Sequence, residues 1–209
     1  MKMKETGWIW KIVWLGALVA GASAFGATNA TEALPPCCRM LKAEPHLTDE
    51  SLYQADSTWT NDAGQETKLA SLAGKPQVVL MFFSRCTSAC PILVNDLRRI
   101  EAALPAADRA KIGFTLASFD PEHDSPAVLA AYRRAWNLPE NWTLLSGTAD
   151  NARELSALLG VQYRKETNGQ FAHSNVITLL NAQGEIVFQQ TGLGGDTSAM
   201  ARHIEELLK

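Results

Sequence analysis

The chain has 209 residues, of which 46% are apolar and 20% are charged, and its formal net charge is -3 at pH 7. This composition is typical of a soluble globular protein that is large enough to bury a core. A slightly acidic chain lacks the clustered positive charge with which proteins bind nucleic acid, so we expect no nucleic-acid partner.

Residues 1–24 have the features of an export signal. Basic residues precede the apolar segment 12–25, and the small residues Ala22 and Ala24 frame a cleavage site. The apolar segment is shorter than the roughly 20 residues that a membrane-spanning helix needs. We therefore predict a cleaved signal peptide and an exported, periplasmic protein. The alternative is an uncleaved N-terminal anchor that holds the domain on the periplasmic face of the membrane.

Residues 25–50 are predicted to form a flexible linker, because they lack apolar periodicity and contain two adjacent prolines. The linker includes the neighbouring pair Cys37 and Cys38. We favour exposed thiols on a tether, because adjacent cysteines form only a strained disulfide. An auxiliary soft-metal or redox role is the other interpretation. Residues 51–209 then form a single domain.

The pattern of apolar and turn residues predicts a β-hairpin at 57–69, followed by one helical turn at 69–72. Strands at 78–83, 111–119 and 142–145 are then predicted to alternate with a helix from residue 91, a helix from 125 and a helix that ends at Gly160. Two hairpin strands at 175–180 and 185–189 and a final helix complete the chain. Residues 165–170 are predicted to be a polar excursion, and Leu155, Leu158 and Leu159 of the helix that ends at Gly160 are predicted to face the core. The alternation of strands and helices, closed by a hairpin, indicates an α/β fold with a mixed sheet.

Two cysteines lie where the strand at 78–83 leads into the next helix. Cys86 is on the connecting loop, and Cys90 immediately precedes Pro91, a favourable first residue of a helix. The unpaired N–H groups of a helix N-terminus favour a negative charge, so we predict that the Cys90 thiolate is stabilised there. Arg85 is expected to act in the same direction.

The spacing of these cysteines argues for metal binding. Disulfide oxidoreductases use two intervening residues, whereas here three small residues separate Cys86 from Cys90. Two thiolates with one imidazole suit copper, above all Cu(I). His173 is the best-placed imidazole, although a single histidine is commonly structural. The other three histidines are expected on the solvated surface: His46, His123 and His203.

Three segments resemble the signatures of the Sco/SenC family of copper-binding proteins: CTSACP at 86–91, SFDPEHDSP at 118–126 and FAHSNVITLLNAQGEIV at 171–187. The resemblance extends from about Ser51 to the C-terminus. It implies a thioredoxin-like α/β fold, with a central mixed β-sheet flanked by helices and an N-terminal β-hairpin.

The resemblance also implies a ligand set and a role. Copper, as Cu(I), Cu(II) or both, would be bound by Cys86, Cys90 and His173 and delivered to the dinuclear copper centre of cytochrome c oxidase. Asp120 falls at the family's acidic position near the site and is not counted as a ligand. Thr87 and Ala172 depart from the common pattern, which leaves the recipient open: a respiratory oxidase subunit or another periplasmic copper protein. We expect a monomer.

The main alternative is an enzyme, a thiol–disulfide oxidoreductase that reduces a partner's cysteines before they receive metal. It would use Cys86 and Cys90 as a redox pair and would not need His173. A peroxidase would leave the second cysteine and the histidine unexplained. A purely structural disulfide between Cys86 and Cys90 would add little stability, because it closes a very short loop.

Overall fold

The computed structural model describes residues 47–209. The predicted export signal, Cys37 and Cys38, and His46 lie outside the described residues. Between residues 47 and 209, no helix combines the length and apolar character that crossing a bilayer requires.

A seven-stranded mixed sheet forms the centre of the domain. Its strands are β1 (Thr58–Asn61), β2 (Glu66–Lys68), β3 (Gln77–Phe82), β4 (Gly113–Ser118), β5 (Trp142–Ser146), β8 (Val176–Leu180) and β9 (Ile186–Thr191). They lie in the order β2-β1-β5-β4-β3-β8-β9. Parallel pairing joins β3 to β4 and β4 to β5, whereas β8 and β9 continue the sheet beyond β3 in antiparallel pairing. The antiparallel β1–β2 hairpin extends the other side next to β5.

The helices flank this sheet, which confirms the predicted α/β class with a mixed sheet. They are α1 (Ala89–Ala103), α2 (Ala106–Arg109), α3 (Pro126–Trp136), α4 (Ala149–Leu158) and α5 (Ser198–Leu207), with 3-10 turns at Leu52–Gln54 and Leu69–Leu72. Side-chain caps begin two of them, because the hydroxyl of Ser125 accepts the Val128 N–H and that of Thr148 accepts the Asn151 N–H.

The core lies on both faces of β3 and β4. Every residue of these two strands is buried, as expected for central strands covered by helices on either face. The apolar stripe of α1 packs on the sheet through Leu93, Leu97 and Ile100, each fully buried. Strand β3, which leads into the cysteine loop, and the inner face of α1 therefore both belong to the core.

A separate two-stranded sheet flanks the predicted polar excursion at 165–170, most of which forms the turn between its strands. It pairs β6 (Tyr163–Lys165) with β7 (Phe171–His173) in antiparallel register. Strands of three residues are too short to show a periodic pattern, and this hairpin was missed for that reason. His173 therefore belongs to a strand and not to an irregular loop.

One prediction for α4 was wrong. Leu158 is 42% exposed, whereas Leu155 and Leu159 are buried as predicted. Leu158 and Leu159 are consecutive, and adjacent positions on a helix point about 100° apart, so only one of them faces the core.

The cysteine loop and the start of the described chain lie at opposite ends of the sheet. Cys86 follows the C-terminal end of β3. The turn between β8 and β9 lies beyond the N-terminal end of β3, since Gln77 pairs with Leu180. That turn holds the start of the domain, because the Leu52 N–H donates to the Gly184 carbonyl at 3.0 Å.

Candidate metal centre

A tight connection between β3 and α1 presents the first sulfur. The Cys86 N–H donates to the Phe83 carbonyl at 3.2 Å, which turns the chain sharply after the strand. Helix α1 begins at Ala89, so Pro91 is its third residue and not its first as predicted. The position still costs no hydrogen bond, because the first four N–H groups of a helix have no intrahelical acceptor.

The second sulfur lies in the first turn of α1. The backbone N–H of Cys90 donates to the Sγ atom of Cys86 at 3.3 Å. The Cys86 sulfur thus takes the place of a capping acceptor, since the side chain of Ser88 makes no capping hydrogen bond to the helix. Both cysteines are free thiols, and they are 8% and 1% exposed.

The helix N-terminus stabilises a thiolate on Cys86 and not on Cys90, contrary to the prediction. A hydrogen bond from the Cys90 thiol lowers the pKa of Cys86 to about 4, with help from the backbone N–H groups of Cys90 and Ser88; burial opposes the shift. The pKa of Cys90 is raised well above its ordinary value by that same bond to Cys86 and by burial. The pair therefore holds one negative charge and one proton.

His173 brings a nitrogen to this pair. Its Nε2 atom lies 3.6 Å from the Sγ atom of Cys90. Its Nδ1 atom lies 3.0 Å from the Ser174 carbonyl oxygen, which can only accept, so the hydrogen-bond network assigns the proton to Nδ1 and leaves a lone pair on Nε2. One ligand atom from each of Cys86, Cys90 and His173 lies within 4.8 Å of the other two. The structure thus brings the three predicted ligands together.

Arg85 does not act on the thiols as expected. Its guanidinium donates to the buried carboxylate of Asp120 at 2.7 Å. The same Arg85 nitrogen lies 2.9 Å from Nδ1 of His123. Asp120, Glu122 and His123 also group their ligand atoms within 4.8 Å, but the guanidinium already provides the positive charge there. Asp120 therefore fixes the residue before Cys86 and makes no contact with sulfur.

The two remaining described histidines lie at the surface. The side chain of His123 is 41% exposed, and that of His203 is 44% exposed. His203 packs its ring against Phe188 at 4.4 Å between centroids. Neither residue belongs to the group of ligand atoms that includes the two sulfurs.

The sequence reasoning missed Asp124, a fully buried carboxylate behind the cysteine loop. It accepts the backbone N–H of Ser84 at 3.0 Å, the hydroxyl of Ser84, and the hydroxyl of Ser118 at 2.5 Å. These bonds tie the start of the cysteine loop to the end of β4. Asp124 belongs to the segment 118–126, but its spacing alone gave no sign that it would be buried.

The site is accessible from one side. An open cavity of about 520 Å³ borders His173 and is lined by the hairpin residues Tyr163, Arg164 and Ala172 together with Gln162 and Ser174. Two sulfurs and an imidazole nitrogen are donors that suit a soft cation, and three protein ligands leave room for a fourth from outside. This arrangement fits a metal that is exchanged more readily than one locked in a closed site.

Known proteins show the same fold. The crystal structure of a SCO1/SenC family lipoprotein from Bacillus anthracis matches with a TM-score of 0.67 at 22% identity, covering 73% of this chain and 92% of that one. Yeast Sco1, in a crystal structure with copper bound, matches with a TM-score of 0.61 at 24% identity, covering 72% of this chain and 84% of that one. These likenesses agree with the predicted thioredoxin-like fold.

Sequence comparison gives the family. The SCO1 protein homolog of Bacillus subtilis (strain 168) is 24% identical over 140 residues, which cover 65% of this chain and 72% of that protein. The model of the SCO1/SenC family matches residues 46–209, which include both cysteines and His173. The chain therefore belongs to the SCO1/SenC family.

Proposed function

We propose that this protein is an exported copper metallochaperone. It binds one copper ion through Cys86, Cys90 and His173 and delivers the ion to the copper centre of a cytochrome c oxidase-type respiratory enzyme or to another periplasmic copper protein. The observation that carries the proposal is the convergence of two sulfurs and one imidazole lone pair within 4.8 Å. The copper bound to yeast Sco1 supports the choice of metal.

Capture begins from the half-ionised pair. The thiolate of Cys86 provides the first ligand, and the incoming cation displaces the proton of Cys90, so binding releases a proton. The lone pair on Nε2 of His173 completes the set. Because the third ligand borders an open cavity, a partner's ligand can approach the metal and replace the domain's ligands one at a time.

Export is supported by the sequence of residues 1–24 and by the description of the Bacillus anthracis relative as a lipoprotein. Cleavage, or retention of an N-terminal anchor, would decide whether the domain diffuses or stays at the membrane. We propose that the domain acts as a monomer in either case.

Anaerobic titration of the reduced protein with copper tests this function. The wild type is expected to bind one tight equivalent, Cys86→Ala and Cys90→Ala to lose tight binding, and His173→Ala to bind more weakly with an altered spectrum. His203→Ala removes a surface histidine away from the sulfurs and is the matched control. Retention of one tight equivalent by the double cysteine variant would overturn the proposal.

A second candidate function is thiol–disulfide exchange, with Cys86 and Cys90 as the redox pair. It is favoured by one observation, because a thiolate on Cys86 beside a protonated Cys90 is the form in which a dithiol attacks a disulfide. Reductase activity of the metal-free His173→Ala variant distinguishes the functions. An oxidoreductase would keep its activity, whereas a pure chaperone would show none.

A further inference from the structure

The hairpin β6–β7, which carries His173, is an element apart from the main sheet. Its ladder pairs Tyr163 with His173, and the Ser174 N–H closes it by donating to the Gln162 carbonyl at 2.8 Å. In the part of the chain that the structure describes, its polar links to the rest of the domain are the exposed ion pair between Lys165 and Glu122 and the contact of His173 with Cys90. Exposed pairs contribute little, so something else must hold the hairpin in place.

Aromatic rings provide that attachment. We define the aromatic clamp as Phe83 and Phe119, which follow β3 and β4, together with Tyr163 and Phe171 of the hairpin. The ring of Phe119 stacks on Tyr163 at 4.8 Å and meets Phe171 edge-on at 5.2 Å. Phe83 meets Phe171 at 5.1 Å. These separations and tilts are those of favourable aromatic pairs.

Phe119 joins the clamp to both the sheet and the imidazole. It is 1% exposed, and its N–H donates to the Phe82 carbonyl at 3.0 Å, so its backbone is fixed to the end of β3. The centroid of its ring lies 5.4 Å from that of His173. The two sulfurs are held by α1, by the bond from the Cys90 N–H to Cys86 and by the backbone bond from Cys86 to Phe83, none of which involves the ring of Phe119.

We propose that Phe119 is the positioning residue for His173. Through the aromatic clamp it holds Nε2 of His173 beside the sulfurs and so decides whether bound copper has a nitrogen ligand. Two thiolates alone satisfy Cu(I), whereas Cu(II) depends more strongly on imidazole. The clamp therefore governs which oxidation state of copper the domain retains. This inference rests on the proposed function.

Phe119→Leu tests the inference, with separate titrations by Cu(I) and Cu(II). The variant is expected to keep one equivalent of Cu(I), to lose about tenfold or more in Cu(II) affinity, and to show the changed Cu(II) absorption spectrum of His173→Ala. Adding Phe119→Leu to His173→Ala should then change Cu(II) binding no further, because both substitutions act through the same ligand.

Phe114→Leu is the matched control. Phe114 is also fully buried and lies on β4, the strand that Phe119 follows, but it stacks on Trp142 at 5.1 Å near the other end of that strand. The Phe114→Leu variant should lose about as much core packing as Phe119→Leu, without any change in the Cu(II) spectrum. If Phe119→Leu does not fold, Phe171→Leu removes the facing ring from the half-exposed hairpin and should give the same result.

The outcomes separate the two proposals. A wild-type protein that binds no copper would overturn the proposed function, and this inference with it. A wild type that binds copper, together with clamp variants whose Cu(II) affinity and spectrum are unchanged, would overturn the inference alone. The same spectral change in Phe114→Leu would also overturn it, because the effect would then reflect general loosening of the core.

Discussion

At the scale of single residues, the two cysteines at the N-terminus of α1 differ in their ionisation. Cys90 belongs to the first helical turn, and its N–H points back to Cys86. Burial and the bond to Cys86 keep the Cys90 proton in place, while Cys86 receives the donors. The sequence identified both residues from their spacing. It could not decide which one is ionised, because that depends on the path of the loop between them.

This difference predicts the pH dependence of alkylation in the reduced, metal-free protein. The pKa of Cys86 is lowered to about 4, so its reactive thiolate is already fully formed at pH 6. Its rate with iodoacetamide should change by less than about twofold between pH 6 and pH 8, whereas an ordinary cysteine of pKa ~8.5 gains about 75-fold over that range.

Tandem mass spectrometry measures the alkylation of Cys86 and of Cys90 separately. Cys90→Ala is the informative companion variant, because it removes the largest contribution to the lowered pKa of Cys86 and should move the reactivity of Cys86 to higher pH. A tenfold rise for Cys86 in the wild type between pH 6 and pH 8 would contradict the assignment.

At the scale of elements, the sequence predicts best the strands and helices that are long and have a periodic apolar pattern. Strand β3 and helix α1 are long enough for their apolar patterns to be read, and both are where the sequence placed them. The β6–β7 hairpin gave no such pattern, because every one of its strand residues is exposed or only half-buried. The position of His173 beside the sulfurs depends on this hairpin. For that reason the sequence pattern alone favoured His173 as a metal ligand but could not establish that role.

The turn between β8 and β9 gives a prediction about stability. Gly184 has φ +87°, and a Cβ atom built on it would lie 2.5 Å from the ring of Tyr53, which is buried. Gly184→Ala should therefore combine backbone strain with overpacking and destabilise the domain by about 3 kcal/mol.

Gly169→Ala isolates the backbone component of that cost. Gly169 has φ +77° in the β6–β7 turn, with no atom within 4 Å of a Cβ built on it, so the substitution should cost about 1 kcal/mol. Urea denaturation of both variants measures the difference in the free energy of unfolding. Equal losses would show that the contact with Tyr53 contributes nothing.

At the scale of the whole molecule, the proposed metal site and the first described residues lie at opposite ends of the domain. The cysteines follow one end of β3, and the first described residues are held at the other end through the Leu52–Gly184 bond. Six residues of β3 alone span about 20 Å. A partner can therefore approach the sulfurs and the hairpin at the end of β3 opposite to the one that holds Leu52.

This separation predicts that the linker cysteines are not needed for the site. The three ligands of the proposed copper centre all come from the described domain, and two thiolates with one imidazole satisfy a soft cation without further sulfur. The full-length Cys37→Ser/Cys38→Ser variant should bind one equivalent of copper, with the affinity and spectrum of the wild type, in an anaerobic titration. Binding of a second tight equivalent by the wild type, lost in the variant, would instead assign Cys37 and Cys38 a metal site of their own. A changed spectrum at one equivalent would mean that the linker reaches back to the sulfurs despite the distance.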